Sequence, residues 1–122
     1  MAKRILMVED EENLVYAVSL RLKAAGFEVI AAYDGQEGLD KARAEKPDLI
    51  LLDIMLPKLD GYKVCRMLKF DDKYKAIPII MLTVKGEHED KQLGFEVGVD
   101  AYITKPFDPD ILLAKINELL NK

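Results

Sequence analysis

The chain has little cysteine, no excess of basic charge and no long apolar run. Cys65 is the only cysteine among the 122 residues, so no internal disulfide can form, and we expect a buried thiol in a reducing compartment. The 22 acidic and 18 basic residues give a net charge of -4, which disfavours nonspecific binding to nucleic acid or anionic membranes. No segment has the length of a membrane span or the pattern of a secretory signal. We therefore expect a cytoplasmic protein without direct nucleic-acid or membrane contacts.

The length suits one domain with a substantial core and is short for two. Half of the residues are hydrophobic, which favours a compact globule. No linker, repeat or low-complexity segment interrupts the chain. We expect a single domain over residues 1–122.

Five short apolar runs recur between longer amphipathic segments. They are ILMV from Ile5, VIAA from Val29, LILL from Leu49, IIML from Ile79 and AYI from Ala101. Runs of this length between helical segments predict strands that are buried on both faces.

The intervals between these runs, and the segment after the last one, predict five helices. The first ends at Gly26, the second spans about 35–45, the third begins near Gly61, and the fourth spans about 87–96. The fifth begins with Asp108 as its cap and Pro109 at the first helical position. The residues expected on the apolar faces are Leu14, Val18, Leu22, Ala25, Val64, Met67, Leu68, Leu112, Ile116 and Leu119.

Strands that alternate with helices predict one parallel, doubly wound α/β sheet with helices on both faces and right-handed crossovers. Periodicity does not define the strand order. We suppose the order 2-1-3-4-5, which is one of the two common doubly wound arrangements.

Polar residues follow every predicted strand. They are Glu9 and Asp10, then Tyr33 and Asp34, then Asp53, then Thr83, and finally Thr104 and Lys105. The carboxyl ends of parallel strands share one rim, and ligands bind there where the strand order reverses. With the supposed order, Glu9, Asp10, Asp53, Thr83 and Lys105 become neighbours, and the end of the second strand lies outside the cluster.

Three carboxylates on one rim repel each other, and a divalent cation would relieve this repulsion. A small set of oxygen ligands suits Mg2+ better than a calcium cage, and zinc is disfavoured because His88 and Cys65 lie elsewhere in the sequence. With the metal in place, a carboxylate can attack phosphorus to form an acyl phosphate while Lys105 balances the charge. Asp53 is the expected nucleophile because it belongs to the central strand of the supposed order.

The segments VEDEE, LLDIMLPKLDG, MLT and YITKPF, in this order and spacing, closely resemble the receiver domain of two-component response regulators, including chemotaxis receivers. The resemblance covers essentially the whole chain. It implies a flavodoxin-like (βα)5 fold with strand order 2-1-3-4-5. It also implies a phosphorylation-activated switch in which Asp53 accepts a phosphoryl group from a sensor histidine kinase, rather than an enzyme that acts on a separate substrate.

The resemblance further implies a role for each residue of the site. Glu9, Asp10, Asp53 and the backbone carbonyl of Met55 would hold Mg2+, Thr83 and Lys105 would contact the phosphoryl group, and the peptide bond between Lys105 and Pro106 would be cis. Tyr102 would turn inward as Thr83 moves, which would reshape the face of the fourth helix, fifth strand and fifth helix for a downstream protein or output domain. Pro57 and Gly61 are interpreted as structural, since they shape the loop after Asp53 and open the next helix.

Two other functional classes lack their defining residues. A phosphatase of the haloacid dehalogenase type needs a second acid two residues after the nucleophile, where this chain has Met55. A nucleotide- or flavin-binding domain needs a glycine-rich turn after the first strand, and VEDEEN contains no glycine. Met55 also stands, like Lys85, where receivers tune hydrolysis of the acyl phosphate.

The output and the oligomeric state stay open. The chain is either a stand-alone receiver or the N-terminal receiver of a DNA-binding transcriptional regulator. Asp100 and Lys115 resemble ion-pair positions through which receivers of winged-helix regulators dimerise, although Ala101 stands where a second acid is usual. A monomer and a phosphorylation-dependent dimer are both compatible with this pattern.

Overall fold

A computed structural model describes residues 2–84 and 91–122. The chain alternates between strands and helices. In order, the elements are β1 (Arg4–Val8), α1 (Glu12–Ala24), β2 (Glu28–Ala32), α2 (Gly35–Glu45), β3 (Leu49–Asp53), α3 (Gly61–Lys69), β4 (Ile79–Val84), α4 (Lys91–Val97), β5 (Ala101–Lys105) and α5 (Pro109–Leu120). All five predicted strands are confirmed.

The strands form one parallel sheet with the order β2-β1-β3-β4-β5. The supposed strand order is therefore confirmed. The order reverses between β1 and β3, so the residues that follow these two strands meet at the same rim. All five residues of β3 are buried, as expected for the central strand of a sheet that is covered on both faces.

Alternate strand residues point into two separate hydrophobic cores. One core lies under α2, α3 and α4, and its strand residues are Leu6, Val8, Ala32, Ile50, Leu52, Ile79 and Met81. The other lies under α1 and α5, and its strand residues are Ile5, Met7, Leu49, Leu51, Ile80, Leu82 and Ile103. This alternation sets the register, because a shift of one residue would exchange the two faces.

The predicted helix ends agree with the structure where Gly, Pro or Asp marks them. Gly26 follows α1 with a φ of +94°, a left-handed conformation that favours glycine. The bounds of α2 are those predicted. At α5, the Asp108 side chain accepts a hydrogen bond of 2.8 Å from the Asp110 backbone N–H, and Pro109 occupies the first turn.

Two residues that were predicted to face the core, Ala25 and Met67, are exposed instead. Met67 is 43% exposed, and Val64 and Leu68 instead fill the core on their side of α3. Ala25 lies just beyond the end of α1 and is exposed. Leu119 is half-buried and packs against the core under α1 and α5, so it faces inward as predicted. Of the fourth helix, predicted over about 87–96, the structure describes Lys91–Val97.

Three further expectations have different outcomes. The remaining predicted turn of the fourth helix, together with Lys85 and His88, lies outside the described residues. Cys65 is a buried free thiol, as predicted. Within residues 2–84 and 91–122, no helix has the length and apolar character needed to cross a membrane.

The amino ends of β4 and β5 are tied together by one lysine. Lys69, at the end of α3, has a side chain only 11% exposed, and its Nζ lies 2.8 Å from Oδ2 of Asp100. The same Nζ donates a hydrogen bond to the carbonyl oxygen of Ile77 at 2.7 Å. The Asp100 carboxylate in turn accepts a 2.7 Å hydrogen bond from the backbone N–H of Ile79, the first residue of β4. Lys69 therefore joins α3 to the end of the sheet opposite the polar rim.

Candidate functional site

The polar residues at the carboxyl ends of β1, β3, β4 and β5 line one cavity. Its volume is about 360 Å³. The lining residues are Glu9, Asp10, Glu11, Asp53, Ile54, Met55, Thr83, Val84 and Lys105. The five residues expected to be neighbours at the rim, Glu9, Asp10, Asp53, Thr83 and Lys105, all belong to this set.

The structure brings three carboxylates together in the cavity. One oxygen from each of Glu9, Asp10 and Asp53 lies within 4.8 Å of the other two. Glu9 is only 1% exposed and Asp53 only 6%, whereas Asp10 is exposed. The cluster is therefore buried on the side of Glu9 and Asp53 and open to solvent on the side of Asp10.

Hydrogen bonds hold the two buried carboxylates in place. Oδ1 of Asp53 accepts a hydrogen bond of 3.2 Å from the backbone N–H of Met55. Oε2 of Glu9 accepts one of 3.1 Å from the backbone N–H of Glu11. Lys105 supplies the positive charge that pairs with both carboxylates. Its Nζ donates a hydrogen bond to Oε1 of Glu9 and lies 3.4 Å from Oδ2 of Asp53.

Burial and mutual repulsion alter the acidity of these groups. Burial raises the pKa of Glu9 from its ordinary value of 4.5 to about 7, and the neighbouring charge of Asp53 adds to the rise, while the hydrogen bond from Lys105 opposes it. Burial alone would lower the pKa of Lys105. The hydrogen bond to Glu9 and the charges of Asp53 and Glu9 outweigh it, so this pKa is raised. The lysine therefore carries its positive charge at neutral pH.

The donor set fits a divalent cation that prefers oxygen ligands. The three clustered carboxylates supply hard oxygen atoms, which Mg2+ prefers. Burial is the main cause of the raised pKa of Glu9, and a bound cation would stabilise the ionised form of this carboxylate. The side chain of Met55 is 56% exposed and offers no oxygen, so this residue could contribute only its backbone carbonyl.

The loop between β3 and α3 approaches the site closely. The carbonyl of Pro57 accepts hydrogen bonds from the backbone N–H groups of Gly35, at 3.1 Å, and Leu59, at 2.8 Å. Gly61 donates its backbone N–H to the carbonyl of Ile54 at 2.9 Å. A Cβ on Gly61 would collide with the carbonyl oxygen of Asp53 and lie 2.9 Å from Cα of Ile54. Glycine is therefore required for the loop to close against Asp53.

Thr83 and Tyr102 lie on the same face of the sheet. In the β4–β5 register Thr83 is opposite Thr104 and Met81 is opposite Tyr102. Because successive side chains alternate between the two faces, the pair that contains Tyr102 is the next one along the face that carries Thr83. Thr83 is buried, and its hydroxyl donates a hydrogen bond of 3.3 Å to the carbonyl of Val84. The two residues therefore lie on adjacent strands, two register positions apart on the same face.

Tyr102 also has a partner that the sequence did not indicate. Its hydroxyl oxygen lies 3.1 Å from that of Tyr62 on α3. No spacing rule connects these two positions, because they lie on separate elements 40 residues apart. Beyond Tyr102, the peptide bond between Lys105 and Pro106 is cis.

The polar residues after β2 stay outside the cavity. Asp34 caps α2 by accepting a 2.8 Å hydrogen bond from the backbone N–H of Glu37. Its other oxygen lies 3.5 Å from Nζ of Lys58. Tyr33 is exposed, as is Thr104 at the end of β5. Asp100 pairs with Lys69, and Lys115 pairs with Glu118 at 2.7 Å, so both potential dimer contacts have partners within the chain.

Comparisons with known proteins all indicate the same family. A sequence model described as the response regulator receiver domain matches residues 5–117. The alkaline phosphatase synthesis transcriptional regulatory protein PhoP of Bacillus subtilis (strain 168) is 49% identical over 122 residues, which are 100% of this chain and 50% of that protein. The chain spans about half the length of the curated relatives it matches.

Two solved structures show the same architecture. The chemotaxis response regulator CheY4 of Vibrio cholerae has a TM-score of 0.90 at 34% identity, over 98% of this chain and 99% of that one. The receiver domain of the sensor histidine kinase PA1611 from Pseudomonas aeruginosa PAO1 has a TM-score of 0.90 at 28% identity, over 100% of both chains. That structure has a magnesium ion coordinated in its active site cleft.

Proposed function

The chain belongs to the family of response regulator receiver domains, and from this membership we propose that it is a phosphorylation-activated signalling switch. In this proposal Asp53 accepts a phosphoryl group from a sensor histidine kinase in a Mg2+-dependent reaction. The observation that carries it is the cluster of three carboxylates, one oxygen of each lying within 4.8 Å of the other two, with a lysine Nζ 3.4 Å from Asp53. The protein is a phosphoacceptor and does not act on a separate substrate.

Asp53 is the nucleophile in this proposal because its carboxylate lies beside those of Glu9 and Asp10 and 3.4 Å from Nζ of Lys105. A carboxylate oxygen of Asp53 attacks phosphorus, the phosphorus–nitrogen bond of the phosphohistidine breaks, and its electron pair leaves with the imidazole. The hydrogen bond from Met55 at 3.2 Å orients the carboxylate. Lys105, which is held by Glu9 and Asp53, balances negative charge on the phosphoryl oxygens.

Glu9, Asp10, Asp53 and the backbone carbonyl of Met55 are the residues that would hold Mg2+. When bound, the ion supplies charge neutralisation at the transferring phosphoryl group. The clustering of the first three residues supports this assignment. Glu9 keeps Lys105 directed into the cavity, and Asp10, which is exposed, lies on the side that solvent reaches.

The switch involves Thr83 and Tyr102. The hydroxyl of Thr83 moves from the carbonyl of Val84, 3.3 Å away, to an oxygen of the new phosphoryl group. Tyr102, one pair away on the same face, occupies the space released inward. The face formed by α4, β5 and α5 then changes its packing and binds a downstream protein or output domain. The added charge is the trigger, and the phosphorylated state is favoured because only it makes these contacts.

Intact-mass spectrometry after incubation with acetyl phosphate and Mg2+ tests the proposal. The wild-type chain should gain one phosphoryl group, and Asp53→Ala should gain none. Asp34→Asn is the matched control, since Asp34 lies two residues after β2 and outside the cavity, and asparagine can still cap α2. The proposal would be contradicted if the wild type stays unmodified or if Asp53→Ala is modified equally. It would also be contradicted if the wild type is modified when excess EDTA replaces Mg2+ during the incubation.

Residues 1–122 form a single receiver domain in this proposal, which acts in the cytoplasm. Its partners are a sensor histidine kinase and a downstream protein, and it contacts neither nucleic acid nor membrane directly. The negative net charge of -4 supports this part of the proposal.

A second candidate is the N-terminal receiver of a DNA-binding transcriptional regulator. The relatives favour it, because the chain covers half of a transcriptional regulatory protein at 49% identity. If phosphorylation drives dimerisation, light scattering with beryllofluoride and Mg2+ should give twice the mass of the untreated protein. A monomer at saturating beryllofluoride would favour a stand-alone receiver.

A further inference from the structure

Two tyrosines on different elements meet between the sheet and its helices. Tyr62 lies in the first turn of α3 and is 8% exposed. Tyr102 lies in β5 and is half-buried against the core under α2, α3 and α4. Their hydroxyl oxygens are 3.1 Å apart, a distance at which either group can be the donor. This contact links α3 directly to the strand that carries the proposed switch residue.

Gly94 on α4 makes room for this arrangement. A Cβ at Gly94 would overlap the hydroxyl oxygen of Tyr102 and lie 2.8 Å from its Cζ atom. Gly94 is buried, so a Cβ at this position could be accommodated only if the Tyr102 ring left its position between α3 and α4. The Tyr102 hydroxyl therefore fits between α3 and α4 only because position 94 lacks a side chain.

The contact is adjacent to the site without belonging to it. Tyr102 is one residue pair from Thr83 on the same face of the sheet. Tyr62 immediately follows Gly61, whose backbone donates a hydrogen bond to the carbonyl of Ile54 at 2.9 Å, just after Asp53. Tyr62 is thus connected to the site through the loop after β3, and through Tyr102 to β5.

We propose that Tyr62 is a regulatory residue that, with Gly94, holds Tyr102 inward before phosphorylation. The proposal rests on the proposed function, in which the inward position of Tyr102 belongs to the phosphorylated state. A hydrogen bond made only in that position shifts the equilibrium toward it. One neutral hydrogen bond of ordinary strength changes the equilibrium constant between the outward and inward positions about fivefold. The inward position of Tyr102 is therefore already partly populated before phosphorylation, and α3 contributes to this through Tyr62.

Tyr62→Phe tests the inference, because it removes the hydroxyl and keeps the ring. In the presence of Mg2+, its affinity for beryllofluoride should fall relative to wild type, by at most about fivefold, since the inward position loses its hydrogen bond. Tyr74→Phe is the control, because Tyr74 is a half-buried tyrosine on the same core, and its affinity should not change. An unchanged or increased affinity in Tyr62→Phe would overturn the inference.

A second measurement does not depend on phosphorylation. Ring signals of labelled tyrosine are recorded by NMR without beryllofluoride and assigned by comparison with Tyr102→Phe. The Tyr102 signal should move in Tyr62→Phe and stay in place in Tyr74→Phe. Tyr62→Phe, Tyr102→Phe and the double variant also form a cycle of unfolding free energies, which should show non-additivity. An unmoved signal together with additive effects would overturn the inference.

The two proposals can fail separately. If acetyl phosphate does not modify Asp53 in the wild type, the proposed function is wrong, and the inference that Tyr62 regulates this switch is overturned with it. If Asp53 is modified equally in wild type and Tyr62→Phe but beryllofluoride affinity is unchanged, the inference alone is wrong. If Tyr62→Phe does not fold, Tyr102→Phe removes the same hydrogen bond from the other side, and a loss of affinity of at most about fivefold is again expected.

Discussion

Replacing Glu9 by glutamine should stabilise the metal-free protein at high pH. The substitution removes a charge that is 1% exposed and lies beside Asp53, and the amide oxygen can still accept a hydrogen bond from Lys105. The pKa of Glu9 rises on folding from 4.5 to about 7. At 1.36 kcal/mol for each pKa unit, the ionised carboxylate costs the folded state about 3 kcal/mol.

The raised pKa determines the direction of the pH effect. A folded state that binds a proton more tightly than the unfolded chain loses stability as the proton leaves. The contribution of Glu9 is therefore fully present below pH 4.5 and disappears as pH rises through about 7. Lys105, whose pKa is raised above its ordinary value of 10.5, stays charged across this window and does not obscure the effect.

Urea unfolding followed by circular dichroism in EDTA, at several values between about pH 5 and pH 8, measures this contribution. The difference in unfolding free energy between Glu9→Gln and wild type should increase by about 3 kcal/mol across that range. Glu28→Gln is the control, since Glu28 is exposed at the opposite end of the sheet, and its difference should stay constant. Added Mg2+ at the higher pH should stabilise the wild type more than Glu9→Gln. Parallel pH profiles for wild type and Glu9→Gln would refute the reasoning.

Three other substitutions have defined outcomes. Gly61→Ala should lower the unfolding free energy by about 1–3 kcal/mol and weaken Mg2+ binding, because its Cβ would press on the carbonyl of Asp53; urea unfolding and Mg2+ titration measure both. Lys69→Met should cost about 2 kcal/mol of unfolding free energy, because Asp100 loses its 2.8 Å ion pair. Met55→Asn should shorten the lifetime of the phosphorylated form, as measured by phosphate release, because asparagine can orient water and methionine cannot.

Each of these three substitutions has a control or a result that would contradict it. Lys63→Met is the counterpart of Lys69→Met, since the Lys63 side chain is 72% exposed, and it should leave stability nearly unchanged. A Gly61→Ala protein with wild-type stability would show that the loop can retreat from Asp53. Equal rates of phosphate release in wild type and Met55→Asn would exclude a role for the side chain at position 55.

The strands and the positions of the site residues were predictable because the signals are local. A strand buried on both faces must be apolar along its length, so its end is marked by the first charged residue, as at Glu9 and Asp53. The supposed strand order then placed Thr83 and Lys105 at the same rim. The predicted fold class, strand order and family are all confirmed.

The errors and omissions have physical causes that a single sequence does not carry. Met67 follows the helical repeat as an apolar residue, but Val64 and Leu68 already fill the core side of the short helix α3. The contact between Tyr62 and Tyr102 depends on how α3 packs against β5, which no spacing within either segment records. The hydrogen bond from Lys105 to Glu9 likewise depends on side-chain directions across β1, β3, β4 and β5.

The lysine that ties the amino ends of β4 and β5 has a consequence for engineering. Lys69 and Asp100 lie at one end of these strands, and the carboxylate cluster lies at the other, so the same strands have a stabilising end and a reactive end. Changes to the acids need not disturb the ion pair. A designer could therefore exchange the residues of the cavity for a different ligand set and retain Lys69 as the anchor that preserves the fold.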